Sequence, residues 1–525
     1  MPTPSSISSA DIQTWYIEAD AARGAGDIAT AQALVERILA HDPGRAGARY
    51  LRGLLALDLN QLKVAQIWIE RAIEVLAHPD FYTTLCLVQL KLNALTSATQ
   101  TARQGLALQP DSTTLHYYEG AALFAQGLID EAALSYGKLL ELEPDHAQAH
   151  ANMGVVARVL GELDEAEWHL RRAMVLAPDD RSAHAHLGPV LLAAGRYEEA
   201  WPWFEERWAN FISPEGRPAP RARPQIPLPQ WKGEDPDAAR HAQRESATGS
   251  RLLVISEQGH GDSLQFVRYL PLALERFSRV GYVCRPALRR LYEQSLCMRW
   301  PGLVLVDAET ADLDDWDWHC PLMSLPMAFG TRLDTIPAAM PYLYADPKGA
   351  ASWRAKLAAL PNPELPRVGV IWAGGHSGMM EDKMRSLTPE QIAPLLALPH
   401  IRWVSLQKTE DATKRPNGAM RANLTDWMGE VMDFADTAAL IENLDLVISV
   451  DTSVAHLAAA MGKPVWLLNR FAGCWRWLRD RDDSPWYPTV RLFTQRKRGD
   501  WDEVLTRVAA ALQERFVPQD GRAAR

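Results

Sequence analysis

The chain has 525 residues, more than one hydrophobic core usually supports, so two or three domains are expected. An apolar share of 47% and a charged share of 23% are ordinary for a soluble globular protein and exclude long disordered stretches. The formal charge of −10 excludes a general nucleic-acid binder, which needs a basic surplus to neutralise phosphates.

The N-terminus, MPTPSSISSADIQTWY, has no basic segment leading into an apolar core. No apolar run reaches the roughly 18 residues that cross a bilayer, so a cytoplasmic protein without a membrane span is expected. Residues 1–210 are helical in pattern, and the pattern has a period. Ala31, Ala65, Ala98, Ala132, Ala166 and Ala200 recur at steps of 34, 33, 34, 34 and 34. Gly53, Gly120, Gly154 and Gly188 stand upstream of them at a fixed offset, and Pro110, Pro144 and Pro178 downstream at another. Such a period predicts pairs of helices that cross closely at the small residues, with the proline ending each unit. The best copy is HAQAHANMGVVARVLGELDEAEWHLRRAMVLAPDD. About six units are expected, the first and third degraded, with Ala19 and Cys86 in the glycine slot. A stacked array of this kind suits an extended peptide or a partner protein, with self-association through the array as a further option; the plainer alternative is packing against the rest of the chain.

Residues 211–250 are rich in Pro and Arg and poor in aliphatics, which predicts a linker, with Trp231 anchoring it to the next domain. Tryptophan is also unevenly placed, 13 of the 19 falling from Trp231 onward, so the two halves differ in kind. The five cysteines, Cys86, Cys284, Cys297, Cys320 and Cys474, form no zinc-type pair and no disulfide framework, consistent with a reducing compartment.

Beyond the linker, short apolar runs alternate with helical stretches. RLLVIS (251–256), VGYVC (280–284), LVLVDA (303–308), RVGVIW (367–372), IRWVSLQ (401–407), DLVISV (445–450) and PVWLL (464–468) read as buried strands. DSLQFVRYLPLALERF, TPEQIAPLLAL and the closing GDWDEVLTRVAAALQERF read as helices. The alternation predicts two parallel sheets of Rossmann type facing a cleft, in domains of residues 251–345 and 346–525 divided near IPAAMPYLYADP.

Ligands of open parallel sheets bind beyond the carboxyl ends of strands, and three such loops carry chemistry. In SEQGHGDSLQF, Gly259 and Gly261 allow a tight turn before Asp262 or Ser263 caps a helix, and Gln265, Arg268 and Tyr269 would follow Asp262 on one face, with His260 beside it. In VIWAGGHSGMMEDKMRSL, Gly374 and Gly375 lead into a polar loop with Lys383 and Arg385, a combination that admits a phosphate close to the backbone. In ISVDTSVAHLAAAMGKP, a strand delivers Asp451, Thr452 and Ser453 to a helix N-terminus that favours an anion, with His456 following. Each has a structural reading too: Asp262 as a helix cap alone, the Gly-Gly loop as ordinary surface, His456 as a core histidine. Gln407 and Lys408 after WVSL can bond a base edge or ribose, and Trp475, Trp477 and Trp486 either stack on a ligand or fill the core. The acidic DLDDWDW (312–318) reads as a solvated turn and not as a metal motif.

The run NLTDW…ADTAALIENLDLVISVDTSVAHLAAAMGKPVWLL resembles the C-terminal signature of the bacterial heptosyltransferase-like glycosyltransferases: Asp-Ser/Thr-Gly, then His, then Ala-Ala-x-Gly-x-Pro. GHGDSLQFVRYLP resembles their N-terminal Gly-Asp loop. The resemblance covers roughly residues 251–515. Joined to tetratricopeptide repeats, which the first half resembles closely, it is similar to bacterial repeat-containing protein glycosyltransferases, including flagellin-modifying ones, and in architecture to the eukaryotic O-linked N-acetylglucosamine transferase. The resemblance implies an all-α tetratricopeptide-repeat solenoid followed by an α/β GT-B fold that moves a sugar from a nucleotide-sugar to a hydroxyl of a protein acceptor. It implies Asp262 as general base, Arg385 with Lys383 at the donor diphosphate, and Thr452, Ser453 and His456 in the phosphate-binding turn. It also implies inversion at the anomeric carbon. No metal or other cofactor is expected, since a helix N-terminus with two cations can take the leaving charge. Ser453 departs from the family's usual Gly. Two competing readings keep a lipid or oligosaccharide acceptor in envelope assembly, which the array argues against, or a scaffold with a degenerate transferase domain.

Overall fold

The computed structural model describes residues 8–208, 226–238, 249–309, 311–375, 380–409, 411–416, 418–421 and 423–516. Most of the expected linker, residues 209–225 and 239–248, therefore lies outside the described residues. The chain divides into two compact units between His186 and Leu187.

The first unit is a run of antiparallel helix pairs: α1 (Ser9–Gly24) with α2 (Ile28–His41), α3 (Ala46–Asp58) with α4 (Leu62–Ile73), α5 (Pro79–Lys91) with α6 (Leu95–Leu108), α7 (Thr113–Gln126) with α8 (Ile129–Leu142), and α9 (Ala147–Leu160) with α10 (Leu163–Leu176). The periodic alanines are where the paired helices meet, and Ala31, Ala65, Ala132 and Ala166 are wholly buried. The glycine slot faces a larger side chain of the partner helix. A Cβ on Gly53 would come within 2.5 Å of Ile69, one on Gly120 within 2.8 Å of Tyr136, and one on Gly154 within 2.6 Å of Leu170. The degraded copies are compensated at that facing position: Ala19 shares a core cluster with Val35, and Cys86 with Ala102. The slot and its partner conserve volume together, as close packing requires. The turn inside each pair needs a left-handed residue, supplied by Gly26, Asn60, Asn93, Gly127 and Gly161, all with φ between 56° and 85°.

The second unit begins with the end of α11 (Ser182–Ala193) and with α12 (Tyr197–Phe204), followed by a short 3₁₀ turn, Glu205–Trp208. It then builds two parallel sheets. The first uses β1 (Arg251–Ile255), β2 (Arg279–Val283), β3 (Leu303–Val306) and β4 (Trp318–Pro321) in the order β3-β2-β1-β4. The second uses β5 (Arg367–Ile371), β6 (Arg402–Ser405), β7 (Leu424–Thr425), β8 (Leu446–Val450), β9 (Val465–Asn469) and β10 (Val490–Thr494) in the order β10-β9-β8-β5-β6-β7. All the strand pairs are parallel. Parallel strands need crossovers, and helices lie in most of them, the β3–β4 and β9–β10 connections having only a short 3₁₀ turn among their described residues: α13 (His260–Phe266), α14 (Leu270–Leu274) and α15 (Pro286–Tyr292) in the first sheet, then α16 (Leu325–Ala328) and α17 (Pro347–Ala358) between the sheets in sequence. In the second sheet they are α18 (Met380–Arg385), α19 (Pro389–Leu396), α20 (Gly418–Arg421), α21 (Phe434–Ile441) and α22 (Ser453–Ala460). The closing α23 (Trp501–Phe516) lays Trp501, Val504, Leu505, Val508 and Leu512 on the second sheet's core. This is the parallel-sheet α/β region expected of a GT-B fold, and every strand read from the sequence is present.

Trp231 is buried, packs edge-on against Phe277 and Phe329, and donates its backbone N–H to His319 O at the first sheet's edge. The helix expected over DSLQFVRYLPLALERF is divided: α13 ends at Phe266, residues 267–269 tighten to 3₁₀, and α14 restarts beside Pro271. Asp262 accordingly sits in the first turn of α13 and not at its N-cap, which is Gly259. Lys383 and Arg385, expected on a loop, lie on α18, while residues 376–379 before it are outside the described ones.

Candidate active site

Both sheets have a point where strand order reverses, and ligands of such sheets bind beyond the carboxyl ends of the strands there. In the first sheet that point is β1, between β2 and β4; the loop after β1 holds Gly259, His260 and Asp262. In the second it is β5, between β8 and β6; the loops after β5 and β8 hold Gly374 and Asp451-Thr452-Ser453. The three loops that carry polar residues in the sequence therefore lie at or beside the two reversal points.

The loop after β1 turns through Gln258, a non-glycine residue with φ 54°, and then α13 starts. Asp262 Oδ2 accepts the Gly259 N–H at 2.8 Å, and Oδ1 accepts from Arg476 Nη2. Arg476 is buried, and its other groups donate to Gln265 Oε1 and to Cys474 Sγ. Burial opposes its charge, but the surrounding Cys474, Asp262 and Asp451 keep its pKa raised. His260 touches Phe434 of α21, and burial, with the Arg285 charge, lowers its pKa.

The second sheet's loops are held by Arg385. Its Nε donates to Asp382 Oδ1 at 2.9 Å and its Nη1 to the Asp451 carbonyl at 2.7 Å, so α18 is tied to the turn after β8. Gly374 lies against this pair. A Cβ there would meet Arg385 Nε at 2.6 Å and Asp382 Oδ1 at 2.8 Å, which is why the position needs glycine. Lys414 Nζ donates to the carbonyls of Gly374 (3.0 Å) and Gly375 (3.3 Å) and adds a second cation. Thr452 is the N-cap of α22, but its hydroxyl pairs with Ser449 Oγ at 2.9 Å and leaves the helix's own N–H groups uncapped by it. Ser453 opens the helix, half-buried.

Behind the turn, His456 is buried. Its Nδ1 lies 2.9 Å from Tyr487 Oη, its Nε2 lies 3.7 Å from Asp451 Oδ1, and its ring stacks on Trp477. Burial lowers the imidazole pKa and outweighs the pull of Asp451. Burial also opposes ionisation of Asp451, but the neighbouring His456 and the Arg385 charge overcome it and hold that carboxyl well below the ordinary range.

The two halves of the site touch. A Cβ on Gly261 would stand 3.0 Å from His456 Cδ2 and 3.5 Å from Ser453 Cα, so the loop after β1 rests on the turn after β8. Other expected residues lie apart from this contact. Arg268, expected along a cleft-lining face, is buried and donates to the carbonyls of Gln265, Pro337 and Trp486 and to Tyr342 Oη. Gln265 and Tyr269 are likewise buried, so that face packs the sheets together and does not line a cleft. Trp475 sits in an aromatic cluster with Trp201, Phe204 and Trp486. Gln407 Oε1 accepts the N–H groups of Trp372 and Ala373, and Lys408 donates to Val431 O. Lys383 is exposed on α18. Arg476, Asp382 and Lys414 were not anticipated. Arg476 had one signal, an arginine between two tryptophans in CWRW.

Residues 404–468 match the family model of glycosyltransferase family 9 (heptosyltransferase), and residues 16–77 and 119–177 match that of the tetratricopeptide repeat. Stretches of the first half are thus similar to tetratricopeptide repeats, and a stretch of the second half to glycosyltransferase family 9. The segment matched to the glycosyltransferase family holds Gln407, Lys408 and the Asp451–His456 turn. Protein FlbA of Caulobacter vibrioides is 28% identical over 338 residues, 60% of this chain and 52% of that protein, so the chain spans about half the length of this curated relative. Among solved structures, YrrB, described as a TPR protein with an unusual peptide-binding site, is 24% identical over 32% of this chain and 88% of its own, with a TM-score of 0.30. MamA is 19% identical over 30% of this chain and 94% of its own, with a TM-score of 0.29. Among the described residues no helix is long and apolar enough to cross a membrane.

Proposed function

We propose that the second unit transfers a sugar from a nucleotide-sugar to a hydroxyl of a protein acceptor, a Ser or Thr side chain with flagellin among the candidates, and that the repeats recruit that acceptor. The observation that supports the reading is the contact of Gly261, the residue before Asp262, with Ser453 and His456 of the anion-favouring turn. Glycosyl transfer needs that pairing: a base for the attacking oxygen and stabilisation of the departing nucleotide diphosphate.

In this reading the diphosphate lies at the N-terminus of α22, where free N–H groups and the helix dipole favour negative charge. Arg385 and Lys414 supply cations, with Lys383 at the rim, and Gly374 lets the backbone approach. Cleavage of the anomeric carbon–oxygen bond leaves the electron pair on the diphosphate, and these groups take up the charge, so no metal is called for. Asp262 accepts from Arg476 and from the Gly259 N–H, each of which uses one lone pair of a carboxylate oxygen. The remaining lone pairs accept the proton of the acceptor hydroxyl as its oxygen attacks from the opposite face, with inversion.

The test is Asp262→Asn assayed for transfer and for nucleotide binding. Transfer should fall by at least about a hundredfold while binding of the nucleotide holds, because the base acts on the acceptor side. Unchanged transfer would remove Asp262 from the mechanism.

A further inference from the structure

The repeat buries one position in each copy: Ile38, Ala72, Gly105, Leu139 and Ala173, at steps of 34, 33, 34 and 34. The next position in the series is Arg207, also buried. A charge in a slot built for apolar side chains is costly unless every donor is met, and here each N–H is. Nε and Nη2 donate to the two oxygens of Glu257 at 2.8 and 2.7 Å, and Nη2 also donates to Ser324 Oγ at 2.8 Å. Nη1 donates to Glu205 Oε1 at 2.7 Å and to Phe204 O at 3.1 Å. The ring is closed by Ser324 Oγ donating to Glu205 Oε2, with Gln230 on the same oxygen, and by Met323 N donating to Glu257 Oε1. Apolar packing would stabilise such a slot about as well, so stability does not explain the arginine.

Its place does. Glu257 follows β1 and leads through the left-handed Gln258 into Gly259 and Asp262. Met323 and Ser324 follow β4, the neighbour of β1. Arg207 therefore clamps the carboxyl ends of both strands at the reversal point of the first sheet. α12 is fixed to the same unit by Trp201 Nε1 donating to Thr331 O and by Trp486 Nε1 donating to Tyr197 Oη.

We infer that Arg207 is a positioning residue: through its bidentate bond to Glu257 it holds the 257–262 loop so that Asp262 meets Arg476 and the acceptor hydroxyl. This rests on Asp262 being the base. The segment that closes the repeat pattern is thus a working part of the transferase.

Arg207→Lys and Glu257→Gln in the full chain test it, since each keeps a polar group and removes the fork. Amide hydrogen exchange in residues 256–266 should quicken by at least about tenfold, while residues 446–460 stay within about twofold of wild type. Nucleotide release from a panel of UDP-, GDP-, ADP- and CMP-sugars should lose at least about tenfold in kcat with the donor KM little changed. Wild-type exchange in 256–266 together with wild-type kcat would overturn the proposal. So would exchange quickened evenly along the chain, or failure of both variants to fold, either of which assigns the network to stability alone. Asp262→Asn separates the two readings. If it turns over normally while Arg207→Lys still loosens 256–266, the base assignment falls and the clamp stands; if it is inactive while Arg207→Lys is fully active, only the clamp falls.

Discussion

Arg476, from the segment after β9, donates to the Asp262 carboxylate at the start of α13, so a residue of the second sheet's domain holds the candidate base of the first. The pair is mostly buried, and removing one partner leaves the other charge without compensation, at about 3–5 kcal/mol. Arg476→Met should therefore lower the melting temperature and cost transfer at least about a hundredfold. Arg476→Lys, which keeps the charge but not the fork to Gln265 and Asp262, should melt near wild type and still lose about tenfold in transfer. Melting curves and transfer rates on the two variants check this, and equal activity of the methionine variant would leave Arg476 a packing residue.

Gly261 and Ser453 should respond differently to change. Gly261→Ala places a Cβ 3.0 Å from His456 Cδ2, so the His456 ring or the loop after β1 must give by a few tenths of an ångström. Transfer should fall while nucleotide binding is largely kept. Ser453→Gly removes a side chain from the first residue of α22, costs less than about 1 kcal/mol in helix propensity, and should alter which nucleotide-sugar binds best. Calorimetric titration with a nucleotide-sugar panel reads both.

Truncation distinguishes the repeats from the segment that closes them. A chain lacking residues 1–180 keeps α11, α12 and Arg207 and should still release nucleotide while losing modification of the acceptor protein. A chain lacking residues 1–210 loses Arg207 and the Trp201 contacts and should lose both. Equal behaviour of the two truncations would contradict the division of the chain at Leu187.

The alternation of apolar runs and helices located seven strands, because buried parallel strands read as continuous apolar segments. The three others were hidden for particular reasons. β4 is the short WHCP, ending in Pro321; β7 is only Leu424–Thr425; β10 carries Arg491 on its exposed side. Glycines and hydroxyls at the strand ends announced the candidate loops, since local turns and helix caps are local chemistry. Arg476 was not legible, because what makes it matter is Asp262, 214 positions away. The placement of α12 was masked by Ala200, which keeps the repeat's period. The counter-signal was Trp201, standing where earlier copies have Thr99, Ala133 and Glu167: an aromatic on a face that the array leaves polar or small.

Acid should weaken the array. His150 Nδ1 lies 2.8 Å from His169 Nδ1 between α9 and α10, and burial, with the His150 charge, pushes the His169 pKa down to about 4. A folded pKa below the unfolded value of about 6.5 means that the unfolded chain binds the proton first. The contribution is fully present above about pH 6.5 and is lost as pH falls toward 4, on the order of 2 kcal/mol by pH 5. Calorimetry of the full chain at pH 7 and pH 5 should show this loss, and His169→Gln should reduce it. An equal loss in that variant would assign the acid sensitivity elsewhere.

The most direct test of protein glycosylation is intact-mass analysis of proteins from producing cells that carry the wild-type chain, Asp262→Asn, or neither. One or more proteins should be heavier by a sugar residue only with the wild-type chain, and the increment would identify the sugar. Identical protein masses in all three would contradict a protein acceptor.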